Sequence, residues 1–527
     1  MNGFRSASVV IPSALATLVL FSKFPDMKKK NILLITSDEL RGDCLGTMGN
    51  PDIKTPNIDA LAARGSVLEK HFTPFPKCVP ARCAMHTGRY THTDGLRTVM
   101  GPNHLPEGDP TLGEFLGQQG YETAVLGLNH VWEEAWFYGK GEQTNQKGGG
   151  VVDYTSFTEG PIGDIAMQAR TYPEGEARKG AHIEALAEVD FDGLTTGSKS
   201  TFSDENRADQ ACLYLNEVRD PAKPFFLQLN LSKPHPAYCI HEPFYSMYDP
   251  ESIEAFPSEL PENASLPLRA QRKWRLGDDI PEASLRELQA VYYGMISFID
   301  DLVGKVLQTL EAQGLAEDTL VIFTSDHGDY AGQYGINEKW DASLQDCLLH
   351  VPFVIAGPDI PQGKRFNGLS EHVDLPATIM DYLGFERPSE WVWHGESMLP
   401  LLQGAPGKAA VFADGGHEAN MRARFDAPTW EEKNGRRRKT VGGKQLTYGE
   451  CPDSMARCKM VRTDEWKLVI RETGGNELFH VKEDRFEMKN LYGQPELASI
   501  QAELQLQLIE WTLRTDTDRP YLAKFGA

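Results

Sequence analysis

Short, mainly apolar runs recur along the chain, and most of them end abruptly in polar residues. A run of five to seven such residues is typical of a strand that is buried on both faces, as in a parallel sheet. We therefore predict buried strands at 31–36, 121–126, 225–231, 320–324 and 351–356.

Apolar positions at helical spacing fill the stretches between these runs. Thr55 followed by Pro56 is typical of a helix start, with Thr55 as the N-cap. Further on, Ser284 and Glu287 have the spacing of a capping box and precede a long amphipathic pattern that ends near Gly314. Strands that alternate with helices predict an α/β fold with a mostly parallel central sheet.

The pattern changes after about residue 404. Short alternating segments at 466–470 and 477–480 are followed by a helical pattern at 495–512, which predicts a smaller α+β domain with an antiparallel sheet. A chain of 527 residues is also long enough for two domains. The predicted organisation is a leader at 1–26, a large domain at 27–404 and a smaller C-terminal domain at 405–527.

The predicted leader allows two interpretations. Arg5 precedes an apolar run from Val9 to Phe21, which resembles a secretory signal and is too short for a stable membrane span. We expect export, which would place the protein in the periplasm or outside the cell. If translation starts at Met27 instead, the protein would stay in the cytoplasm.

The charge of the chain limits its partners. The formal net charge is −22 at pH 7. Nucleic acid is therefore not expected as a partner, because neutralising phosphates requires a basic face. An anionic substrate would have to be drawn by a local cationic pocket and not by the field of the whole protein.

Two predicted strands end in groups that could bind a metal ion. Asp38 and Glu39 follow the first strand, and Asp326 and His327 follow the strand at 320–324. The carboxyl ends of neighbouring parallel strands meet at one edge of a sheet, where α/β proteins bind ligands. Carboxylate oxygens suit hard divalent cations. We therefore expect these four side chains to converge on one metal ion.

The segment around Cys78 carries the most specific motif. It reads Cys78-Val79-Pro80-Ala81-Arg82, and a Cys-x-Pro-x-Arg sequence resembles the signature around the nucleophile of the formylglycine-dependent sulfatases, within the alkaline-phosphatase-like superfamily. Further matches are spread in order along most of the chain. They are Thr55-Pro56-Asn57-Ile58-Asp59, Gly120-Tyr121-Glu122-Thr123, Lys233-Pro234-His235, Ser325-Asp326-His327-Gly328, Lys339 and His372-Val373-Asp374-Leu375-Pro376.

The resemblance implies an alkaline-phosphatase-like α/β/α sandwich and a sulfuric ester hydrolase. It also implies a formylglycine, an aldehyde made from Cys78 by a maturation enzyme, and one divalent metal. The family favours Ca²⁺, although Mg²⁺ or Mn²⁺ would suit the same ligands. The expected substrate is a sulfate ester, and a sulfated glycan is one candidate.

The same resemblance assigns roles to residues of this sequence. Arg82 would hold the modified side chain and neutralise charge, and His130 would stand near the aldehyde hydrate or the leaving group. His235 would also be the general acid for the leaving alcohol. The implied metal ligands are Asp38, Glu39, Asp326, His327 and the modified Cys78, and the implied substrate-binding residues are Lys233, His235 and Lys339.

Three positions differ from the usual family pattern. Glu39 stands where a second aspartate is common, Leu128 stands where a lysine is common, and Ala81 stands where serine is common. Leu128 removes a cationic contact to the substrate. Phosphonate and phosphate ester hydrolases of the same superfamily vary at these positions too, so they are the alternative function. A non-catalytic binding protein with an unmodified Cys78 is the second alternative.

Overall fold

The structure is a computed structural model of the 527-residue chain. It describes residues 30–96, 104–106, 108–132, 152–153, 177–178, 203–273, 280–422, 430–433, 436–439 and 443–516. The strands in these ranges are β1 (Asn31–Asp38), β2 (Ser66–Phe72), β3 (Glu122–Gly127), β4 (Val152–Asp153), β5 (Ala177–Arg178), β6 (Phe225–Pro234), β7 (Ile240–His241), β8 (Thr319–Ser325), β9 (His350–Val351), β10 (Phe353–Ala356), β11 (Lys364–Glu371), β12 (Val411–Gly415), β13 (Trp430–Lys433), β14 (Arg436–Lys439), β15 (Cys458–Arg462), β16 (Lys467–Arg471) and β17 (Glu477–Phe479). The helices are α1 (Pro56–Ala63), α2 (Cys78–Thr87), α3 (Thr91–Asp94), α4 (Leu112–Gln118), α5 (Ser203–Leu213), α6 (Leu266–Gln271), α7 (Glu282–Ala312), α8 (Asp346–Leu349), α9 (Leu375–Tyr382), α10 (Leu399–Leu402), α11 (Ala419–Arg422), α12 (Gly443–Glu450) and α13 (Ala498–Thr515).

A nine-stranded sheet forms the centre of the described part of the chain. Its order is β11-β2-β10-β8-β1-β6-β3-β4, with β9 beside β2. The strands β8, β1, β6, β3 and β4 are parallel to their neighbours within this group, so their carboxyl ends lie along one edge. All five predicted strands are present, and the prediction of a mostly parallel sheet in an α/β fold is confirmed.

The predicted strand at 351–356 joins the sheet in the opposite direction. Its main part, β10, runs antiparallel to both β8 and β2. The connection from β8 covers residues 326–352 and contains the four-residue helix α8 and the short strand β9. This connection is longer than the dozen residues that a parallel crossover needs, so its length does not set the direction of β10.

Helices cover both faces of the central sheet. Leu33 and Ile35 of β1 belong to a core that includes the long helix α7, whereas Ile32 and Leu34 belong to a second core that includes α4 and α9. Side chains alternate between the faces of a strand, so the apolar run at 32–35 of β1 is explained by a layer on each side. The result is the expected α/β/α sandwich.

A second, antiparallel sheet has the order β12-β15-β16-β17. It packs against α13, whose buried residue Trp511 stacks on Phe412 of β12 with ring centroids 4.9 Å apart. The same core includes Tyr90 and Val373 from the larger part of the chain. The smaller α+β unit is thus packed onto the larger part of the chain through a shared apolar core.

Two helix starts differ from the sequence prediction. The helix α7 already begins at Glu282, so Ser284 is a buried residue in its first turn and the predicted capping box does not form. At α1, Thr55 is the residue before the helix, but its hydroxyl accepts a hydrogen bond from Gly46 N and donates to Asp59 instead of capping. In both cases, tertiary contacts override a local signal that the sequence alone suggests.

The predicted domain boundary at 404/405 lies between α10 and β12 and stays a prediction. The predicted leader at 1–26 lies outside the described residues, so export also stays a prediction. Within the described ranges, every helix is too short or too polar to span a bilayer.

Candidate active site

The acid-bearing ends of β1 and β8 meet as the sequence predicts. The two strands are direct neighbours, with Ser37 opposite Ser325. Asp38 and Asp326 follow these residues and are fully buried. The amide N of Asp326 donates a hydrogen bond to the carbonyl of Ser37 at 3.2 Å, which keeps the two strand ends together.

Four side chains converge at this edge of the sheet. One potential ligand atom from each of Asp38, Cys78, Asp326 and His327 lies within 4.8 Å of all the others, and all four residues are buried. Asp38 Oδ1 has no hydrogen-bond partner among the described residues. A buried carboxylate oxygen without a partner is costly, so this donor set fits a hard divalent cation.

His327 is oriented for such a role. Its Nδ1 donates a hydrogen bond to the carbonyl of Gly328 at 2.9 Å, which leaves the lone pair of Nε2 directed at the cluster, 3.4 Å from Cys78 Sγ. Burial lowers the pKa of His327 to about 3, so the ring is neutral at physiological pH. A neutral imidazole held by a carbonyl on its other nitrogen is the usual form of a metal-ligating histidine.

Arg82 neutralises the charge of Asp38 and Asp326. Its Nε donates to Asp326 Oδ2 at 2.8 Å and its Nη2 to Asp38 Oδ2 at 3.1 Å. Burial alone would raise the pKa of Asp38, but neighbouring cations, including Arg82 and Lys339, outweigh it and hold that pKa well below its usual value. The guanidinium therefore orients the carboxylates, and its predicted contact with the modified side chain stays a prediction.

Cys78 is the first residue of α2 and is 4% exposed. Burial, together with the charge of Asp38, raises the pKa of its thiol well above the usual value. A thiol in this state is a poor nucleophile because the thiolate is the reactive form. Without further modification or a bound ion, this thiol is therefore held in its protonated form.

The carboxylate of Glu39 pairs with Lys339. The backbone of Glu39 has a φ of 67°, in the left-handed region, and its Oε1 lies 2.8 Å from Lys339 Nζ in an ion pair. Its Oε2 lies 3.6 Å from His235 Nε2. Glu39 forms a second group of potential ligand atoms with Asp38 and His235, and it is not among the four converging residues. Its predicted place in the metal shell stays a prediction.

The predicted substrate-binding residues surround this ion pair. Lys339 is 2% exposed. His235 donates from Nδ1 to the carbonyl of Pro236 at 2.6 Å, and burial lowers its pKa to about 4. Lys233 Nζ donates to the carbonyl of Ala237 at 2.7 Å, so this ammonium is engaged by the loop that carries His235.

His130 lies near the same group. It has a φ of 76°, and Asn129 holds the turn by accepting hydrogen bonds from the amides of Val131 and Trp132. Burial lowers the pKa of His130 to about 4, and the charges of Arg82 and Lys339 act in the same direction. The predicted role of His130 near the aldehyde hydrate or the leaving group stays a prediction.

Sequence reasoning missed Asn230. Its side-chain oxygen accepts from Arg82 Nη1 at 3.0 Å and from the amide of Gln228 at 3.0 Å, which completes the fixation of the guanidinium. The available signal was the pair Gln228 and Asn230 within the otherwise apolar run at 225–231 of β6. Polar side chains in a strand that is buried on both faces require a partner.

The predicted metal site has a testable consequence for stability. Adding Ca²⁺ to chelator-treated protein should raise the melting temperature, because the ion binds only the folded state, with about 2.7 kcal/mol gained at 100 times Kd. Asp326→Asn should lose most of this response, whereas Asp374→Asn, which changes a buried acid paired with Lys408, should keep it. Differential scanning fluorimetry measures both, and equal responses of the two variants would contradict the assignment of Asp326.

The α/β/α sandwich, with buried acids, an imidazole and a cysteine at the carboxyl edge of its sheet, is that of an alkaline-phosphatase-like hydrolase. The sulfatase family model matches residues 30–385, which is most of the chain. The chain therefore belongs to the sulfatase family and is a sulfuric ester hydrolase.

Known proteins are similar to this one over most of its chain. The chain is 28% identical to the multifunctional alkaline phosphatase superfamily protein PehA of Trinickia caryophylli, over 92% of this chain and 96% of that protein. It is 28% identical to an arylsulfatase of Clostridium perfringens, over 71% and 79%. A phosphonate monoester hydrolase from Silicibacter pomeroyi has a similar fold, with a TM-score of 0.68, 21% identity and coverage of 94% and 97%.

Proposed function

We propose that the protein hydrolyses sulfate esters with a formylglycine made from Cys78 and one divalent cation held beside it. The observation that carries this proposal is the convergence of Cys78 with Asp38, Asp326 and His327 in one buried cluster. The ligand set is rich in oxygen and contains one imidazole, which suits Ca²⁺ and also permits Mg²⁺ or Mn²⁺.

The modified residue and the cation would each supply a distinct part of the chemistry. The hydrated aldehyde offers one hydroxyl for attack on sulfur and a second hydroxyl that allows sulfate to be released. A bound cation would supply Lewis-acid chemistry to the ester oxygens and the attacking hydroxyl. Asp38 and Asp326 would hold it, and Arg82 pairs with both carboxylates and fixes their orientation.

The ester would bind on the side of the cluster that carries Lys339, His235 and Lys233. Lys339 contributes a buried positive charge next to the position of the anionic oxygens. His235 is the proposed general acid, acting through Nε2 because its Nδ1 is engaged by Pro236. An anionic ester beside the ring would raise its pKa and favour the protonated form.

One observation favours a second candidate, a phosphonate or phosphate ester hydrolase. Leu128, at the carboxyl end of β3, cannot supply the cationic contact that many sulfatases have there. Tetrahedral sulfate and phosphate esters place similar demands on a metal ion and an in-line nucleophile. The same cluster would therefore serve both reactions.

Two measurements test the proposal. Mass spectrometry of the peptide that contains Cys78, from active protein made in its native host, should show the mass loss that accompanies conversion of thiol to aldehyde. Only intact thiol in active protein would overturn the formylglycine mechanism and leave an enzyme that works with an unmodified Cys78.

A matched panel of nitrophenyl sulfate, nitrophenyl phosphate and phenylphosphonate monoester, together with a sulfated monosaccharide, tests the substrate class. We expect the highest kcat/KM with a sulfate ester. A clear preference for the phosphonate would support the second candidate instead. The sulfated sugar shows whether the natural substrate class is a glycan.

A further inference from the structure

A chain of buried charges connects the residue before Cys78 to the C-terminal part of the molecule. Lys77 Nζ donates to Asp341 Oδ1, and His417 Nε2 donates to Asp341 Oδ2 at 2.7 Å. The three side chains are 4% exposed or less. Lys77 also lies 3.5 Å from the hydroxyl of Tyr448, which belongs to α12.

The chain of buried charges contacts both segments that carry the proposed chemistry. Lys77 is the N-cap residue of α2 and immediately precedes Cys78. Asp341 follows Lys339 by two residues in a loop where Lys339 pairs with Glu39. A shift of Asp341 would therefore move the segment of the nucleophile precursor and the segment of the substrate-binding cation together.

The C-terminal part of the molecule also holds this loop by other contacts. The amide N of Gly416 donates to the carbonyl of Asp341 at 2.7 Å. Trp340 stacks on Tyr448 with ring centroids 4.7 Å apart, and its Nε1 donates to the carbonyl of Ser454 at 2.9 Å. The segment before α2 is held in the same way, since Asp414 N donates to the carbonyl of Pro74 at 2.9 Å.

We propose that His417 and Asp341 are positioning residues of the active site, which they support by fixing Lys77 and the Lys339 loop relative to each other. Neither residue touches the reacting atoms. They act by holding Cys78 and Lys339 at a fixed separation, which makes the C-terminal part of the chain a component of the site. The expected effect on kcat rests on the proposed function. The expected effect on amide hydrogen exchange rests on the geometry alone.

The physical reason is that ester cleavage depends on placement. A displacement of about 1 Å can cost about 100-fold in rate even when no catalytic group is removed. His417→Leu would leave the Asp341 carboxylate without one of its two buried partners, so the carboxylate and Lys77 would have to rearrange. His417→Gln would keep a side-chain N–H that can donate to Asp341.

The experiment compares His417→Leu and His417→Gln with a control at a similar pair. Lys408→Met is this control, because Lys408 pairs with the buried acids Glu371 and Asp374, which lie outside the chain of charges. Each variant is assayed for kcat and KM and for amide hydrogen exchange, at an equal interval below its own melting temperature. Because every variant is then compared at a similar distance from unfolding, a general loss of stability does not account for a difference between them.

We expect His417→Leu to lower kcat by about tenfold or more and to speed exchange in the peptides around 74–82 and 337–341. His417→Gln should recover most of both losses, and Lys408→Met should change neither. Wild-type kcat and protection in His417→Leu would overturn the inference. So would equal losses in His417→Leu and Lys408→Met.

A second variant covers a failure of His417→Leu to fold. Lys77→Met removes the charge at the other end of the chain of buried charges. Lys408→Met is its control, because it removes a lysine that bridges Glu371 and Asp374. Faster exchange around 337–341 in Lys77→Met alone would support the inference, and equal exchange in both would overturn it. If the wild type hydrolyses no ester, the proposed function fails while the exchange result still decides the positioning role.

Discussion

Replacing Cys78 by alanine should reduce ester hydrolysis by roughly 10⁴-fold or more, because it removes the precursor of the only proposed nucleophile. The fold should persist. The substitution removes one sulfur atom from a residue that is 4% exposed, at a cost of about 1 kcal/mol. Steady-state kinetics with a nitrophenyl sulfate and circular dichroism measure the two effects.

Cys83 provides the matched control for this experiment. It lies five residues further along the same helix, is 1% exposed, and donates from Sγ toward the carbonyl of His130 at 3.6 Å. Cys83→Ala should therefore lose similar stability and keep most of the activity. Substantial turnover in Cys78→Ala, or an equal loss of turnover in both variants, would contradict the role of Cys78.

Replacing Arg82 by leucine should both inactivate and destabilise the protein. The guanidinium is 1% exposed and bonds to both Asp38 and Asp326. Removing it leaves two buried carboxylates without their counter-charge, which typically costs about 3–5 kcal/mol. Because a bound divalent cation also compensates these carboxylates, Ca²⁺ should recover much of the lost stability but not the activity. Denaturant unfolding with and without Ca²⁺ measures this difference.

Arg89→Leu is the control for the loss of Arg82. Arg89 is also buried, at 3% exposure, and pairs with Asp109 at 2.7 Å. The variant should be destabilised, but its stability should gain no more from Ca²⁺ than that of the wild type. If Ca²⁺ stabilises Arg82→Leu no more than Arg89→Leu, the two aspartates are not metal ligands.

Much of the site could be predicted from sequence because its parts lie at the ends of recognisable strands. A buried strand has a strong local signature, and the carboxyl ends of adjacent parallel strands must meet at one edge. The sequence alone therefore predicts that Asp38, Asp326 and His327 lie close together. The family motif then added Cys78, which lies close to them.

Other features depend on the packing of distant segments. The left-handed backbone at Glu39 turns its carboxylate toward Lys339, 300 residues away in sequence, and no local pattern indicates this turn. The same holds for the hydrogen bonds of Asn230 to Arg82 and of His417 to Asp341. Each is a contact between single polar residues, which carries no periodicity.

The sequence by itself determined the α/β class, the mostly parallel sheet, the antiparallel C-terminal unit and the residues at the strand ends, because hydrophobic period and strand termini are local properties. Only the tertiary structure decided the direction of β10, the start of α7 and the separation of Glu39 from the four-residue cluster. These features follow from burial and from charge pairing across the fold. Both depend on which segments meet and not on what either segment prefers alone.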